Sequence, residues 1–312
     1  MTTTPQADIN PQSTPPLQTL PQMDYSRKLR SQHRRRKGVG SLIYHAFMIF
    51  ACAVVLYPAV WMVASSFKPH AEIVGNVNLY SENASLDNYA TALDGIAGIS
   101  FWTFFGNSLF IAVVAVLATA VSCSLTAYAF ARCHFKGRGV WFGVMVGTLL
   151  LPMHVTLIPQ YIMFQYLGLI NNFMALLLGH FLATSAFNVF LMVQFLRGIP
   201  AELDESARID GAGHFRIYLS IILPLLRPAI ITVSIFTFIN TWNDFLGPLL
   251  YLNRPDLYTL PIALRLFVDQ TSTSNYGAQI AMSVLALLPV VIIFFLFQRY
   301  LVEGIATQGL KG

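Results

Sequence analysis

The chain has 312 residues, of which 55% are hydrophobic and only 11% are charged. A soluble domain carries about 25% charged residues, so this composition excludes an ordinary soluble protein and indicates helices that cross a membrane. The formal net charge of +5 does not indicate a nucleic-acid-binding protein, because the positive excess lies in one basic run whose expected role is to set topology and to bind anionic lipid.

The segment before the first apolar run, residues 1–40, is predicted to be a disordered cytoplasmic tail that carries a basic cluster. Residues 1–26 are rich in Pro, Thr and Gln and have no apolar period, so they cannot bury enough surface to fold. The basic cluster that follows consists of Arg27, Lys28, Arg30, Arg34, Arg35, Arg36 and Lys37. The rest of the chain, residues 41–312, is predicted to form one transmembrane domain.

Six apolar segments are long enough to be membrane-spanning helices, so the expected fold class is all-α. A helix that rises about 1.5 Å per residue must cross about 30 Å of hydrocarbon. The predicted spans are about 42–64, 104–131, 140–166, 173–196, 225–241 and 279–301, the fifth only with help from its flanks. Pro152 and Pro159 predict a kink in the third span, because proline removes a helical hydrogen bond. A row of Gly139, Gly143 and Gly147 in that span predicts close helix packing within the chain.

Positive charge is unevenly divided among the loops between these spans. Of the 19 Lys and Arg residues, only Lys68, Arg254 and Arg265 lie in the loops after the first, third and fifth spans. The positive-inside rule therefore predicts that both termini, and the loop between the fourth and fifth spans, lie in the cytoplasm.

The loop between the fourth and fifth spans, about residues 197–224, contains the most polar stretch after residue 104. Pro200 suits the first position of a helix, and the acidic residues that follow favour a helix N-terminus. These acidic residues are Glu202, Asp204 and Glu205. Gly211 is predicted to end the helix, because glycine adopts the left-handed conformation of a helix cap without penalty.

The order of residues in this loop resembles the EAA signature of ABC importer permeases. That signature is Glu-Ala-Ala, three residues, Gly, nine residues, Ile, one residue and Leu-Pro. The matching residues here are Glu205, Ser206, Ala207, Gly211, Ile221, Leu223 and Pro224, with Ser206 in place of one Ala. The resemblance implies the type I ABC importer permease fold, with a cytoplasmic coupling helix that docks into a cleft of an ATPase subunit. It assigns ATPase coupling to Glu202, Glu205, Ser206, Ala207, Asp210 and Gly211.

Other runs resemble carbohydrate importer permeases of the maltose type, and together they cover nearly all of residues 41–312. They include SSFKP from Ser65, LDNYATAL from Leu86, LLLPMHVTLIPQY from Leu149 and INTWNDFLGPLLYL from Ile239. The resemblance implies the smaller permease subunit of a sugar importer, located in the inner membrane of a bacterial cell. Its implied partners are a second permease in a heterodimer, an ATPase dimer, an extracytoplasmic binding protein and the surrounding lipid.

The energy for transport is expected to come from another chain. The sequence has no GxxxxGK[ST] loop to cradle ATP phosphates and no Cys/His cluster with metal-ligand spacing. The chain is therefore not expected to be an enzyme or to hold a cofactor or metal of its own, and ATP is expected to bind to the partner subunit.

Candidate substrate-pathway residues are polar or aromatic groups in or beside the spans. They are Asn188, Asn240, Trp242 and Asn243. Amides can bond sugar hydroxyls while a ring face packs on sugar C–H groups. The same residues equally suit helix packing or an interfacial aromatic belt, so both readings remain open.

Three other functions stay open on the sequence alone. One alternative is a permease for another solute such as glycerol phosphate. Arg or Lys residues clustered at the depth of the pore would favour such an anionic substrate, and no such cluster is evident. An ion-coupled secondary transporter needs carboxylates within its spans, for which Asp244 is the nearest candidate. A membrane-embedded enzyme needs paired catalytic groups, and His154 and His180 alone are weak evidence for one.

Overall fold

A computed structural model describes residues 25–73, 75, 77–269 and 275–309, and the side chains of 41, 43–69, 71–73, 75, 77–152, 154–268 and 275–299. Across these ranges the secondary structure is helical with one isolated bridge between Ile96 and Ile99, which confirms the predicted all-α class. The described residues divide into two compact units, with the division between Pro58 and Ala59. Residues 1–24 of the predicted tail lie outside the described residues.

The first helix, α1 (Tyr25–Ser65), contains the first span, whose apolar part is Ile43–Ser65. The helix begins inside the segment 1–40 that the sequence predicts as a tail. Arg and Lys are good helix formers, and no proline interrupts residues 25–40, so the helix continues through the basic cluster.

Residues 59–312 contain the remaining helices, mostly short, with three longer ones. They are α2 (His70–Ile73), α3 (Asp87–Asp94), α4 (Phe101–Arg132), α5 (Arg138–Gly147), α6 (Met153–Tyr166), α7 (Met174–Phe181), α8 (Ala186–Arg197), α9 (Glu202–Ile209), α10 (His214–Ile217), α11 (Leu223–Leu225), α12 (Arg227–Trp242), α13 (Leu246–Tyr251), α14 (Leu260–Asp269) and α15 (Tyr276–Gly309). Two 3₁₀ turns, Thr148–Leu150 and Pro255–Leu257, and a π-helical turn, Tyr218–Ile222, complete the described elements.

Four stretches of the described chain are long and apolar enough to cross a membrane, and six are present if each bent helix pair is one span. The four are Ile43–Ser65, Phe101–Arg132, Met174–Arg197 and Tyr276–Arg299. The third predicted span is the pair Arg138–Leu150 and His154–Tyr166, bent by 108°, with Pro152 at the break. The fifth is the pair His214–Leu225 and Arg227–Trp242, bent by 74°. The predicted kink in the third span is present.

Helix α4 is the centre of the packing and contacts α7, α8 and α12. Its buried face carries small residues, among them Ala112, Ala115 and Ala127, each with 0% exposure. Small side chains let helix backbones approach closely. The glycine row at 139, 143 and 147 was wrongly predicted to provide such packing, because a Cβ on any of these glycines would meet no atom within 4 Å.

The loop after the first span is organised by two polar side chains, the half-buried Asn88 and the buried Lys68. The Nδ2 of Asn88 donates to the carbonyl oxygens of Ser66 and Lys68 at 2.9 and 2.7 Å. The Nζ of Lys68, whose residue is 1% exposed, donates to the carbonyl oxygen of Asn78. Backbone groups of the loop are therefore bonded by side chains rather than by a strand or helix.

Asn88→Ala is expected to lower the free energy of unfolding by roughly 2 kcal/mol, because two carbonyl oxygens lose their donor. The melting temperature of the purified protein in mild detergent measures the change. Asn83→Ala is the matched control, since Asn83 is exposed and surface changes cost within about 0.5 kcal/mol. Equal melting temperatures for the two variants would contradict the structural role of Asn88.

Candidate functional site

The polar loop between the fourth and fifth spans forms helix α9 (Glu202–Ile209). Its first turn is acidic and its last turn contains Arg208, an arrangement that complements the helix dipole at both ends. The hydroxyl of Ser206 donates to the carbonyl oxygen of Glu202 at 2.8 Å. The short helix that the acidic run predicts is present.

Gly211 ends this helix in the predicted left-handed conformation, with φ of +82°. The Gly211 N–H donates to the carbonyl oxygen of Arg208 at 3.0 Å, and the Ala212 N–H donates to that of Ala207 at 2.9 Å. These two bonds form a Schellman cap, which satisfies carbonyl groups at the helix end. A Cβ at position 211 would meet no atom within 4 Å, so only the backbone conformation requires glycine.

Arg132, at the end of α4, anchors one face of α9. Its Nε lies 3.2 Å from Oδ2 of Asp204, and the two side chains are only 10% and 4% exposed. Its Nη2 donates to the carbonyl oxygens of Leu196 and Ile199 at 3.1 and 2.6 Å. One guanidinium therefore joins the end of α8, the turn that follows and α9 to the central helix.

Two tyrosines extend the anchor towards the fifth span. The hydroxyl of Tyr128 donates to the carbonyl oxygen of His214 at 3.2 Å. Ser124 Oγ and the hydroxyl of Tyr218 lie 2.8 Å apart in a buried hydrogen bond. Ala207 packs against the same cluster, which includes both tyrosines and Ile217. The loop is thus attached to α4 through both of its short helices.

The other side of the loop is exposed and includes large apolar side chains. Ile209 is 88% exposed, Phe215 69% and Leu203 43%. The predicted coupling residues that are exposed beside them are Glu202, Glu205, Ser206, Asp210 and Gly211, whereas Ala207 is half-buried. We call this surface, formed by residues 202–215, the α9 surface. Exposed apolar side chains within a polar loop indicate a surface that another protein covers.

The roles of Arg132 and Asp204 were missed by the sequence reasoning. Asp204 was assigned only a favourable interaction with the helix dipole, and Arg132 only a place in the positive-inside count. The available signal was an arginine at the end of one span and an acid in the next polar loop. That signal does not identify the pairing, because the contact depends on how α4 packs on α8.

Cys133 lies beside this anchor and is not an activated nucleophile. Burial raises the pKa of its thiol, although the positive charges of Arg208 and Arg138 oppose the effect. The thiol therefore stays protonated at neutral pH, and the thiolate is the reactive form of cysteine. No cluster of metal-ligand side chains occurs among the described residues.

The four predicted pathway residues occupy two kinds of environment. Asn188 is 7% exposed, and its Nδ2 donates to Thr237 Oγ1 at 3.3 Å. Trp242 is 3% exposed, and its Nε1 donates to the carbonyl oxygen of Ala286 at 3.0 Å. Asn240 and Asn243 are exposed. Asn188 and Trp242 therefore join helices to each other, and their role in a pathway stays a prediction.

Trp242 and Asn243 line one cleft of about 370 Å³, together with Leu260, Pro261 and Ser283. Asn188 and Asn240 are not among its lining residues. The structure brings together only two of the four predicted pathway residues.

Residues 97–307 match the model of the protein family described as "Binding-protein-dependent transport system inner membrane component". The arabinooligosaccharides transport system permease protein AraQ of Halalkalibacterium halodurans is 34% identical over 84% of this chain and 94% of its own length. The probable starch degradation products transport system permease protein AmyC of Thermoanaerobacterium thermosulfurigenes is 37% identical over 80% and 89%. The trehalose/maltose transport system permease protein MalG of Thermococcus litoralis is 31% identical over 85% and 94%.

Two solved structures share the fold. A chain of a bacterial ABC transporter involved in the import of the acidic polysaccharide alginate superposes with a TM-score of 0.75. Its sequence identity is 22%, and the match covers 85% of this chain and 98% of that one. A chain of the bacterial alginate ABC transporter in complex with an alginate pentasaccharide-bound periplasmic protein superposes with a TM-score of 0.59 at 14% identity, over 86% and 96%. These likenesses establish the ABC importer permease fold.

Proposed function

This chain belongs to the family of binding-protein-dependent transport system inner membrane components, and from that membership we propose that it is the smaller permease subunit of an ABC importer for a sugar or oligosaccharide. A permease of this family spans the inner membrane several times and is not an enzyme, because ATP is hydrolysed on a separate subunit. The names of the relatives support a carbohydrate, since they refer to arabinooligosaccharides, starch degradation products and trehalose or maltose.

The observation that carries this proposal is the α9 surface. Its apolar side chains Ile209 and Phe215 are exposed, while its opposite side is joined to α4 through Arg132 and Asp204. A surface of this kind can bind an ATPase subunit and pass the movement of that subunit to the membrane helices. The α9 surface is therefore the proposed ATPase-coupling site, and the chain needs no cofactor because ATP binds to the partner.

The proposed complex contains four kinds of chain. This subunit pairs with a second permease, two ATPase copies bind the cytoplasmic side, and a binding protein delivers the sugar from outside. The exposed glycine row of α5 supports contact with another permease, because small residues permit close approach of a helix from a partner.

Transport is proposed to follow from two states of the helix bundle. ATP binding closes the ATPase pair and displaces α9. Arg132 transmits this displacement to α4, which contacts α7, α8 and α12. Because each nucleotide state favours one arrangement, the sugar site faces first one side of the membrane and then the other.

The proposed complex is tested by purifying the tagged chain from its native membrane in mild detergent. Mass spectrometry is expected to identify a second permease and an ATPase, and the purified complex with its binding protein is expected to import a sugar in proteoliposomes. Recovery of the chain alone, from membranes in which it is correctly inserted, would contradict the proposal.

Both termini and the α9 surface are proposed to lie in the cytoplasm. In a variant whose three cysteines are replaced by serine, Lys136→Cys is expected to react with a membrane-impermeant maleimide in inverted vesicles but not in spheroplasts. Asn83→Cys is the matched control of opposite behaviour, because both side chains are exposed but their loops are predicted on opposite sides. Labelling of both positions from the same side would overturn the orientation.

A further inference from the structure

A second cleft, distinct from the one at Trp242, lies where α6, α7 and the α12–α13 segment meet. Its volume is about 400 Å³, within the range of about 300–1,000 Å³ that is usual for small-molecule sites. Polar groups from three parts of the chain line it, namely Gln160, His180, Thr184, Ser185, Asp244 and Tyr251. None of its described lining residues is Lys or Arg.

One wall of the cleft is a fixed aromatic group. Tyr251 is 4% exposed, and its ring stacks on Tyr161 with centroids 6.4 Å apart and an angle of 14° between the planes. The ring of Phe164 meets it edge-on at 5.2 Å. The carbonyl oxygen of Tyr251 accepts a bond from the Asn171 N–H at 2.8 Å. Its backbone and ring are therefore both held in place, and its hydroxyl lies 3.5 Å from Gln160 Oε1.

The carboxylate of Asp244 is also held in place. Its Oδ1 accepts a bond from the Gly247 N–H at 3.1 Å. A Cβ at Gly247 would collide with Asp244 Oδ2 and would lie 3.0 Å from a methyl carbon of Leu176. A carboxylate can accept about four hydrogen bonds, so Asp244 retains the capacity to accept bonds from ligand hydroxyls.

The third side of the cleft is a break in a membrane span. Helices α7 and α8 are separated by residues 182–185, where Ala183 has a φ of 53°. The left-handed conformation is costly for alanine, and such strain concentrates at functional sites. Beside the break, Nδ1 of His180 is 2.8 Å from Thr119 Oγ1. Irregular backbone at membrane depth is tolerated where it is buried in protein or lines a cavity.

We propose that this cleft binds one neutral saccharide unit of the transported substrate. The hydroxyl groups of the sugar bond to Asp244, Gln160 and His180, while the buried ring of Tyr251 forms the wall behind Gln160. A uronate would place its own carboxylate beside Asp244 without a cation to balance the two charges, so the cleft selects neutral sugars. The inference rests on the proposed function, because it names the substrate class of that importer and adds a site for it.

The test uses the complete transporter and its binding protein in proteoliposomes, with radiolabelled maltotriose, arabinotriose and galactotriose as probes. The trisaccharide that the wild type imports fastest is then given to Asp244→Asn and Gln160→Ala, two changes that leave the buried aromatic wall intact. Each variant is expected to import the sugar about tenfold more slowly, because each loses one hydrogen bond to a substrate hydroxyl, and in Asp244→Asn that bond is to a charged group. The amount of assembled complex is measured in the same vesicles and is expected to be unchanged.

Tyr166→Ala is the matched control, because Tyr166 is on α6 but is 88% exposed and does not line the cleft. It is expected to import at the wild-type rate. If Asp244→Asn and Gln160→Ala also import the sugar at the wild-type rate, this inference is overturned and the proposed function is left standing. If the wild-type complex imports none of the three sugars, the proposed function fails and this inference fails with it.

Discussion

Replacing Arg132 with methionine is expected to reduce sugar uptake at least tenfold in proteoliposomes that contain the complete transporter. The change leaves the carboxylate of Asp204 buried without its partner and removes the donor to the carbonyl oxygens of Leu196 and Ile199. Removing one partner of a buried ion pair costs roughly 3–5 kcal/mol, and each 1.4 kcal/mol is about tenfold in a population. Helix α9 then loses its ion pair with α4, so the proposed transmission of ATPase movement to the spans is expected to fail.

The double variant Arg132→Met with Asp204→Asn separates the ion pair from other effects of the arginine. It is expected to transport faster than Arg132→Met alone, because no unpaired charge remains buried, and slower than the wild type, because the carbonyl bonds stay lost. Arg216→Met is the matched control, since Arg216 is an exposed arginine on α10. Wild-type uptake by Arg132→Met would show that the anchor carries no motion.

Gly211→Val is expected to uncouple the transporter, so that ATP is still hydrolysed while little sugar is imported. A non-glycine residue pays roughly 1–2 kcal/mol for the left-handed conformation, and a β-branched residue pays most. The Schellman cap is expected to open, so that the α9 surface loses the shape proposed to fit the ATPase. The number of sugar molecules imported per ATP hydrolysed is the quantity to measure, in vesicles with equal amounts of complex.

Gly211→Asn is the control for this change, because asparagine tolerates the left-handed conformation and no atom lies within 4 Å of the added Cβ. This variant is expected to import nearly as many sugar molecules per ATP hydrolysed as the wild type. If the valine variant also imports normally, the geometry of the helix end is not what couples the two subunits.

The helices of the fold could be predicted because the length of an apolar run and the residues that end a helix can both be read from a short stretch of sequence. Gly211 ends α9 where the pattern of glycine after a charged helix predicts it, and Pro152 lies at the break in the third span. The second span was predicted from 104 but begins at Phe101, because Ser100 caps it by accepting a bond from the Trp102 N–H. Such an end is set by one hydrogen bond rather than by hydropathy.

The contacts that define the sites could not be predicted in the same way. The pairing of Arg132 with Asp204 joins residues 72 positions apart and depends on the packing of α4 on α8. The break between α7 and α8, at residues 182–185, has no proline, and its left-handed residue is Ala183 rather than a glycine. The bond from the Asn188 amide to Thr237 on a neighbouring helix was not predicted either, and a role of Asn188 in the substrate pathway stays a prediction.

The most direct test of the central claim, that the α9 surface binds an ATPase, is photocrosslinking from that surface. A benzophenone amino acid is placed at position 209 in the full-length chain, in cells that express the whole transporter, and the crosslinked chains are identified by mass spectrometry. The expected product joins this chain to the ATPase subunit, because Ile209 is 88% exposed on the α9 surface. The same probe at position 102, at the far end of α4, is expected to give no ATPase product. Crosslinks from position 209 to lipid or to the second permease, with none to an ATPase in an intact complex, would contradict the coupling role of α9.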